Sequence, residues 1–238
     1  MQSAHHELKL GIEQRTHRGW STAMPSVSPE CESDTDAAVR SILNLQRVSV
    51  RYCRNKVISV EGDTADHILL VTDGVLRTCR VFKDGRRSVV GFHVSGDLLG
   101  FTEEPTHTLC TEAAADSKVL HLSRSAVKAL AIRDNRVANF LLANTIVELN
   151  RLQEHAALIN RSAQCRVASF LIDLSERLGQ ETRLELPMSH RDIADFLGLT
   201  IETLSRVIAK LERAGHIVRT SARMLMMKDR LALMRITT

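Results

Sequence analysis

The stretch DFLGLTIETLSR, Asp195 to Arg206, sets the tightest limit on how this chain can fold. A helical period runs into it, Gly198 stops that period, and a new one starts two residues later. Ser189, with Asp192 three residues on, gives a capping-box-like start to the first helix. Thr200 caps the second, which runs to about Ala214 with Gly215 as its stop. Helices of about 9 and 14 residues joined through Leu197-Gly198-Leu199-Thr200 have helix-turn-helix spacing. In the second helix Ile201, Leu204, Ile208 and Leu211 share one face and are expected to be buried. The other face carries Glu202, Thr203, Ser205, Arg206, Lys210 and Arg213. The first turns of such a face are those that enter a DNA major groove. Arg206 can donate two hydrogen bonds to guanine N7 and O6, Glu202 can accept from cytosine N4, and Ser205 can reach a base edge or a phosphate. Lys210 and Arg213 lie further along and suit phosphates, with Ser189, Thr200 and Thr203 as weaker backbone contacts.

A plainer account competes. An acid in the first turn of any helix is favoured by the dipole, and Glu202 and Arg206 stand four apart, where they can pair on a solvated face. The surroundings weigh against it. Residues 1–160 hold 19 Lys and Arg against 19 Asp and Glu, whereas residues 161–238 hold 13 against 9, so the whole surplus of +4 lies around this motif. HIVRT and RMLMMK follow as two short strands, which completes a winged helix-turn-helix.

Other readings are limited by composition. With 44% hydrophobic and 25% charged residues the 238-residue chain is ordinary for a soluble globular protein. It has no apolar run of about 18 residues for a membrane span and no secretory signal at its start. Five scattered cysteines, Cys31, Cys53, Cys79, Cys110 and Cys165, suit a reducing cytoplasm better than a disulfide framework. His67, His93, His107 and His121 are spread singly, without the paired spacing of a metal site, so neither a cupin-type enzyme nor any cofactor is expected.

Four regions follow from the pattern. Residues 1–35, rich in Ser, Pro and acid, are expected as a flexible tail, and Met24 is an alternative start. Residues 36–133 contain the β-rich runs VSVRYC, KVISVEG, HILLVTDGVLRTCRVF, RRSVVGFHV and KVLHLS, which imply a compact roll, with Thr72-Asp73-Gly74-Val75 as its sharpest hairpin signal. Ser123 caps a short helix towards Ile132. Residues 134–160 form a long helix on which Leu141, Thr145, Leu149, Leu152, Ala156 and Ile159 recur at spacings of 3 and 4, a candidate seam between two copies of the chain. Residues 161–238 are the winged helix-turn-helix, opened by the amphipathic helix AQCRVASFLIDLSERL. The fold class is α+β.

The segment RDIADFLGLTIETLSRVIAKLERAGHI resembles the DNA-binding motif of the Crp–Fnr transcription regulators. Their Fnr-type pattern D-I-x-x-[YF]-L-G-L-T-x-E-T-x-S-R is matched from Asp192 to Arg206. HILLVTDGVLRTCRVFKDGRRSVVGFHVSGDLLGF is similar to the family's cyclic-nucleotide-binding-like β-roll, and Asn135 to Ile159 to its dimerisation helix. The resemblance implies base contacts from Glu202, Ser205 and Arg206, a homodimer on an inverted repeat with TTGA-like half-sites, and RNA polymerase as a partner. The phosphate-binding Gly-Glu and Arg-Ser/Thr pairs of the cyclic-nucleotide receptors fall here on Phe101 and near His107 and Thr108. The clustered cysteines of the iron–sulfur members are missing, and their distal cysteine falls at Leu120. The chain therefore most resembles the FixK-type branch, whose members activate genes for low-oxygen respiration, nitrogen fixation or denitrification. The alternative is a member whose roll binds a small ligand or redox cofactor.

Overall fold

The computed structural model describes residues 29–45 and 47–237. Helix α1 spans Pro29–Leu43. Its backbone includes the last residues of the segment expected as an unpacked tail; the rest of that tail, with Met24, lies outside the described residues. Ala38, Ile42 and Leu43 carry α1 onto a buried cluster with Ile68, Leu70, Leu120 and Leu122, because burying these side chains outweighs the polarity of the segment's start.

Eight strands then form two antiparallel sheets. β1 (Arg47–Tyr52), β8 (Ser117–Ser123), β3 (His67–Asp73) and β6 (Leu98–Leu99) make one, in that order; β2 (Val57–Ser59), β7 (Cys110–Ala113), β4 (Val75–Val81) and β5 (Arg87–Val94) make the other. Leu69, Val71, Leu76, Leu99, Ala113 and Val119 fill the space between the sheets. The Asp73–Gly74 turn is not the hairpin its dipeptide suggests. β3 and β4 belong to different sheets, and Gly74 is the corner where the chain crosses between them. Its φ of +78° suits glycine, and a Cβ there would lie 2.2 Å from the Asp116 carbonyl oxygen. The tight hairpin is instead β4–β5, with Gly85 at φ +81°. β6 and β7 carry too few residues for a sequence signal.

Ser123 caps α2 (Arg124–Arg133), and Asp134 caps α3 (Asn135–Leu158), 24 residues long. Val137 is the one residue of α3 that the chain itself buries. α4 (Ala163–Arg177), the wing sheet β10-β11-β9 (Ile217–Arg219, Met224–Met227, Arg183–Glu185), α5 (His190–Phe196), α6 (Ile201–Arg213) and α7 (Arg230–Thr237) complete the chain. α7 and the pairing of β9 as a third wing strand add to what the sequence pattern implies. α7 packs on α4, held by Arg230 donating to Ser175 Oγ at 3.0 Å and pairing with Glu176. Leu171, Leu174, Leu184, Leu204, Leu211 and Ile217 are fully buried here, each contributing about 1.5–3 kcal/mol. This core continues into Val75, Val89, Phe92 and Val94 of the roll, so roll and winged helix pack as one body.

Candidate nucleic-acid interface

The reading helix is built by its caps. Ser189 Oγ accepts from the Asp192 amide at 3.1 Å while the Asp192 carboxylate takes the Ser189 amide, a full capping box for α5. Gly198, at φ +61°, turns the chain through the left-handed region. Arg166 on α4 closes the turn from behind, donating to the carbonyls of Leu197 at 3.0 Å and Gly198 at 3.3 Å, which would otherwise face the gap between helices. Thr200 Oγ1 then accepts from the Thr203 amide at 3.1 Å and starts α6.

Leu204, Val207, Ile208 and Leu211 anchor α6 in the core. Ile201, expected on that face, is 37% exposed. It sits in the first turn, and Val207 joins Leu204, Ile208 and Leu211 on the buried face. Glu202, Ser205, Arg206, Lys210 and Arg213 are all exposed on the outward side, and Thr203 is half-buried. Arg206 Nη2 donates to Thr203 Oγ1 at 3.1 Å, and its charge exerts only the weakest of the pulls on the Glu202 carboxyl four residues back. The Glu202 carboxyl is held below its usual range by its own backbone amide at the helix start and by the Thr200 hydroxyl. It is thus ionised and accepts only, the form a cytosine amino group requires.

The backbone-contact residues differ in what they have left to give. Phosphate oxygens only accept, so a useful hydroxyl needs a free O–H. Ser189 Oγ already donates to Asp192 Oδ2 at 2.6 Å. Thr203 Oγ1 accepts from both Thr200 and Arg206, which leaves its own hydrogen available. Arg213 Nε leans on the Ala209 carbonyl at 3.3 Å, and Lys210 stands free of the core one turn earlier.

On α3 the expected seam is exposed along most of its length: Leu149 and Leu152 are 51% and 45% exposed and Ile159 42%, with Thr145 exposed before them and Ala156 among them. Leu141 is the exception. It packs beside Phe140 on the α1 cluster, and Leu142, 59% exposed, takes its place at the head of the stripe.

In the roll, Phe101 is exposed where the resemblance puts a nucleotide-binding glutamate. The histidines the sequence spreads singly do not all stay apart. His67, His107 and His121 line one cavity of about 510 Å³ with Asp63 and with Ser59, whose hydroxyl has no partner. His67 and His121 meet edge to face at 5.8 Å, and Tyr52 Oη lies 2.8 Å from His121 Nε2. Among the described residues no three such side chains converge as metal ligands. Strand register also sets Cys79 directly opposite Cys110, both buried and both free thiols.

Residues 165–236 match the Crp-like helix-turn-helix domain and residues 49–134 the cyclic nucleotide-binding domain. The nitrogen fixation regulation protein FixK of Azorhizobium caulinodans is 38% identical over 91% of this chain and 88% of its own length. The chain belongs to the Crp–Fnr family of transcription regulators, on its FixK-type branch. FixK of Rhizobium meliloti is also 38% identical, over 74% of this chain and 81% of that protein. The transcriptional activatory protein AadR of Rhodopseudomonas palustris is 35% identical over 71% of this chain and 73% of its own. A solved structure of FixK2 from Bradyrhizobium japonicum superposes with a TM-score of 0.77 at 35% identity, covering 82% of this chain and 98% of that one. These relatives are regulators rather than enzymes, and among the described residues no helix is long and apolar enough to cross a membrane.

Proposed function

We propose that this FixK-type regulator acts in the cytoplasm as an effector-independent homodimer that activates transcription from inverted repeats with TTGA-like half-sites. The observation that carries the reading is the outward face of α6, where Glu202, Ser205 and Arg206 stand exposed on a helix held by two caps, a glycine turn and Arg166. Arg206 reads a guanine, Glu202 a cytosine amino group, and Ser205 a base edge. Lys210, Arg213 and Thr203 bind phosphates, and Thr200 and Ser189 contribute only after giving up their bonds to Thr203 and Asp192. The two copies join along Leu142, Thr145, Leu149, Leu152, Ala156 and Ile159, which places one reading helix in each of two successive major grooves. Phosphate contacts supply most of the affinity and make it fall with salt. The bound dimer recruits RNA polymerase, and its targets are genes of nitrogen fixation, as the names of its FixK relatives support, or of low-oxygen respiration or denitrification.

Fluorescence anisotropy with purified ligand-free protein tests this. The inverted TTGA-type duplex should bind tightly and a scrambled duplex weakly at the same salt. Equal binding to both, or discrimination only after a nucleotide, haem or cluster is supplied, would overturn the effector-independent reading.

A further inference from the structure

The geometry points to four charged side chains, Arg77, Arg87, Glu112 and Asp192, as positioning residues that hold the helix-turn-helix on the roll at the angle a two-half-site DNA requires. The inference deepens the homodimer reading above and rests on it. Arg77, on β4, is 5% exposed. Its guanidinium gives Nε and Nη2 to Glu112 Oε2 at 2.8 and 2.6 Å, Nη1 to Asp192 Oδ2 at 2.9 Å, and Nη2 to Asn55 Oδ1 at 3.2 Å. Arg87, on β5, gives Nη1 to Glu112 Oε2 at 2.9 Å and Nη2 to Asp192 Oδ1 at 2.6 Å. Two cations and two anions thus close a neutral ring across the junction. Three members come from the roll and the fourth from the first turn of α5.

The division of labour follows from the physics of each contact. Roll and winged helix also meet through Phe92, whose ring lies 5.2 Å from Phe196 and 6.1 Å from Phe170. Apolar burial of this kind is non-directional and tolerates rotation of one body on the other. Planar guanidinium forks do not: they fix angle as well as distance. Turning the helix-turn-helix away would leave buried charges unpaired, which resists intermediate orientations. Asp192 is also the capping-box acid of α5, so the orientation set by the two arginines passes directly into that helix.

Two further ties act in the same sense. Asp195 Oδ2, one turn along α5, accepts from the Val89 amide at 3.1 Å. Asp97 in the roll takes Arg177 of α4 at 3.0 Å and Arg151 of α3 at 3.1 Å, so one carboxylate links the long helix and the DNA-binding domain. The angle of α6 relative to α3 is therefore written into side chains of this chain.

The test uses the full chain and duplexes in which the spacer between half-sites is lengthened or shortened by single base pairs, beside a duplex with one half-site, all at fixed salt. Wild type should prefer one spacer sharply. In Arg87→Gln, affinity for that spacer should fall about tenfold, the scale of a broken coupled pair, the preference among spacers should flatten, and one-half-site binding should stay as it was. Arg87→Lys, which keeps the charge but loses the planar fork to Glu112 and Asp192, should restore the preference only in part. Asp195→Ala, which removes only the acceptor for the Val89 amide, carries the same expectation and serves if Arg87→Gln does not fold. Unchanged spacer profiles in both variants, tighter binding in either, or an equal loss on every duplex including the half-site would overturn the positioning role. A wild type without spacer preference would refute the homodimer reading instead.

Discussion

Leu149→Ala should weaken the dimer without disturbing the monomer. In the single chain Leu149 is 51% exposed at the centre of the α3 stripe. Fully burying a leucine is worth about 1.5–3 kcal/mol, so roughly half of that, about 0.8–1.5 kcal/mol, remains to be gained where a partner covers it. A twofold dimer uses the residue twice, and removing both copies costs about 1.5–3 kcal/mol. This corresponds to a rise of roughly 10- to 150-fold in the dimer dissociation constant. Val147, 40% exposed but on the other side of α3, is the control: Val147→Ala should leave association unchanged. Sedimentation equilibrium gives the constant, and anisotropy on the inverted repeat should weaken in step, because a monomer reaches only one half-site. An unchanged dissociation constant for Leu149→Ala, or equal weakening by Val147→Ala, would mean that another surface joins the copies.

Four shorter expectations follow from the same geometry. Arg206→Ala should cost about 1–3 kcal/mol on the correct site and relax discrimination at one base position; an unchanged ratio of specific to random binding would remove Arg206 from the reading set. Lys210→Ala should weaken all sequences alike and reduce the slope of log affinity against log salt by about 1. Burial holds His93, His121, His155 and His190 below the usual value of 6.5, so the fold favours their neutral forms. The stability they contribute is complete above that value and is lost as pH falls below it towards their folded-state values; Tm should therefore drop between about pH 7.5 and about pH 5.5, and a rise would refute the assignment. Burial pushes the Cys79 thiol up to about 11, so at pH 7.5 only about 3 in 10,000 molecules carry its thiolate. With Cys31 replaced by serine, a thiol reagent should label exposed Cys53 first and Cys79 only on unfolding.

What the sequence made legible was local. The caps Ser123, Ser189 and Thr200, the stop at Gly215 and the long helix from Asn135 to Leu158 depend on neighbours within a few residues, and periodicity carries them. Ile201 misled because a period assigns a face to every residue, whereas burial in the first turn depends on how close the partner helix has come. Spacing put Leu141 on the stripe, and in the single chain it packs partly on the cluster that Ala38, Ile42 and Leu43 of α1 help to build. Asp73-Gly74 carried a genuine turn signal, but a dipeptide states only that the chain bends, not whether the strands it joins will pair.

The features that couple the two domains left no such trace. Arg77 and Asp192 are 115 residues apart, and so are read separately as a strand arginine and a capping acid. Arg166 closes the helix-turn-helix from 31 residues away, and Asp97 gathers Arg151 and Arg177 from two different helices. Each of these side chains has an ordinary local role, and the pairing appears only once the fold brings them together. Where a bound ligand could set the angle between sensor and DNA reader, this chain sets it with its own buried charges, at a junction whose apolar part alone would leave that angle free. The roll then serves as the frame against which the reading helix is aimed.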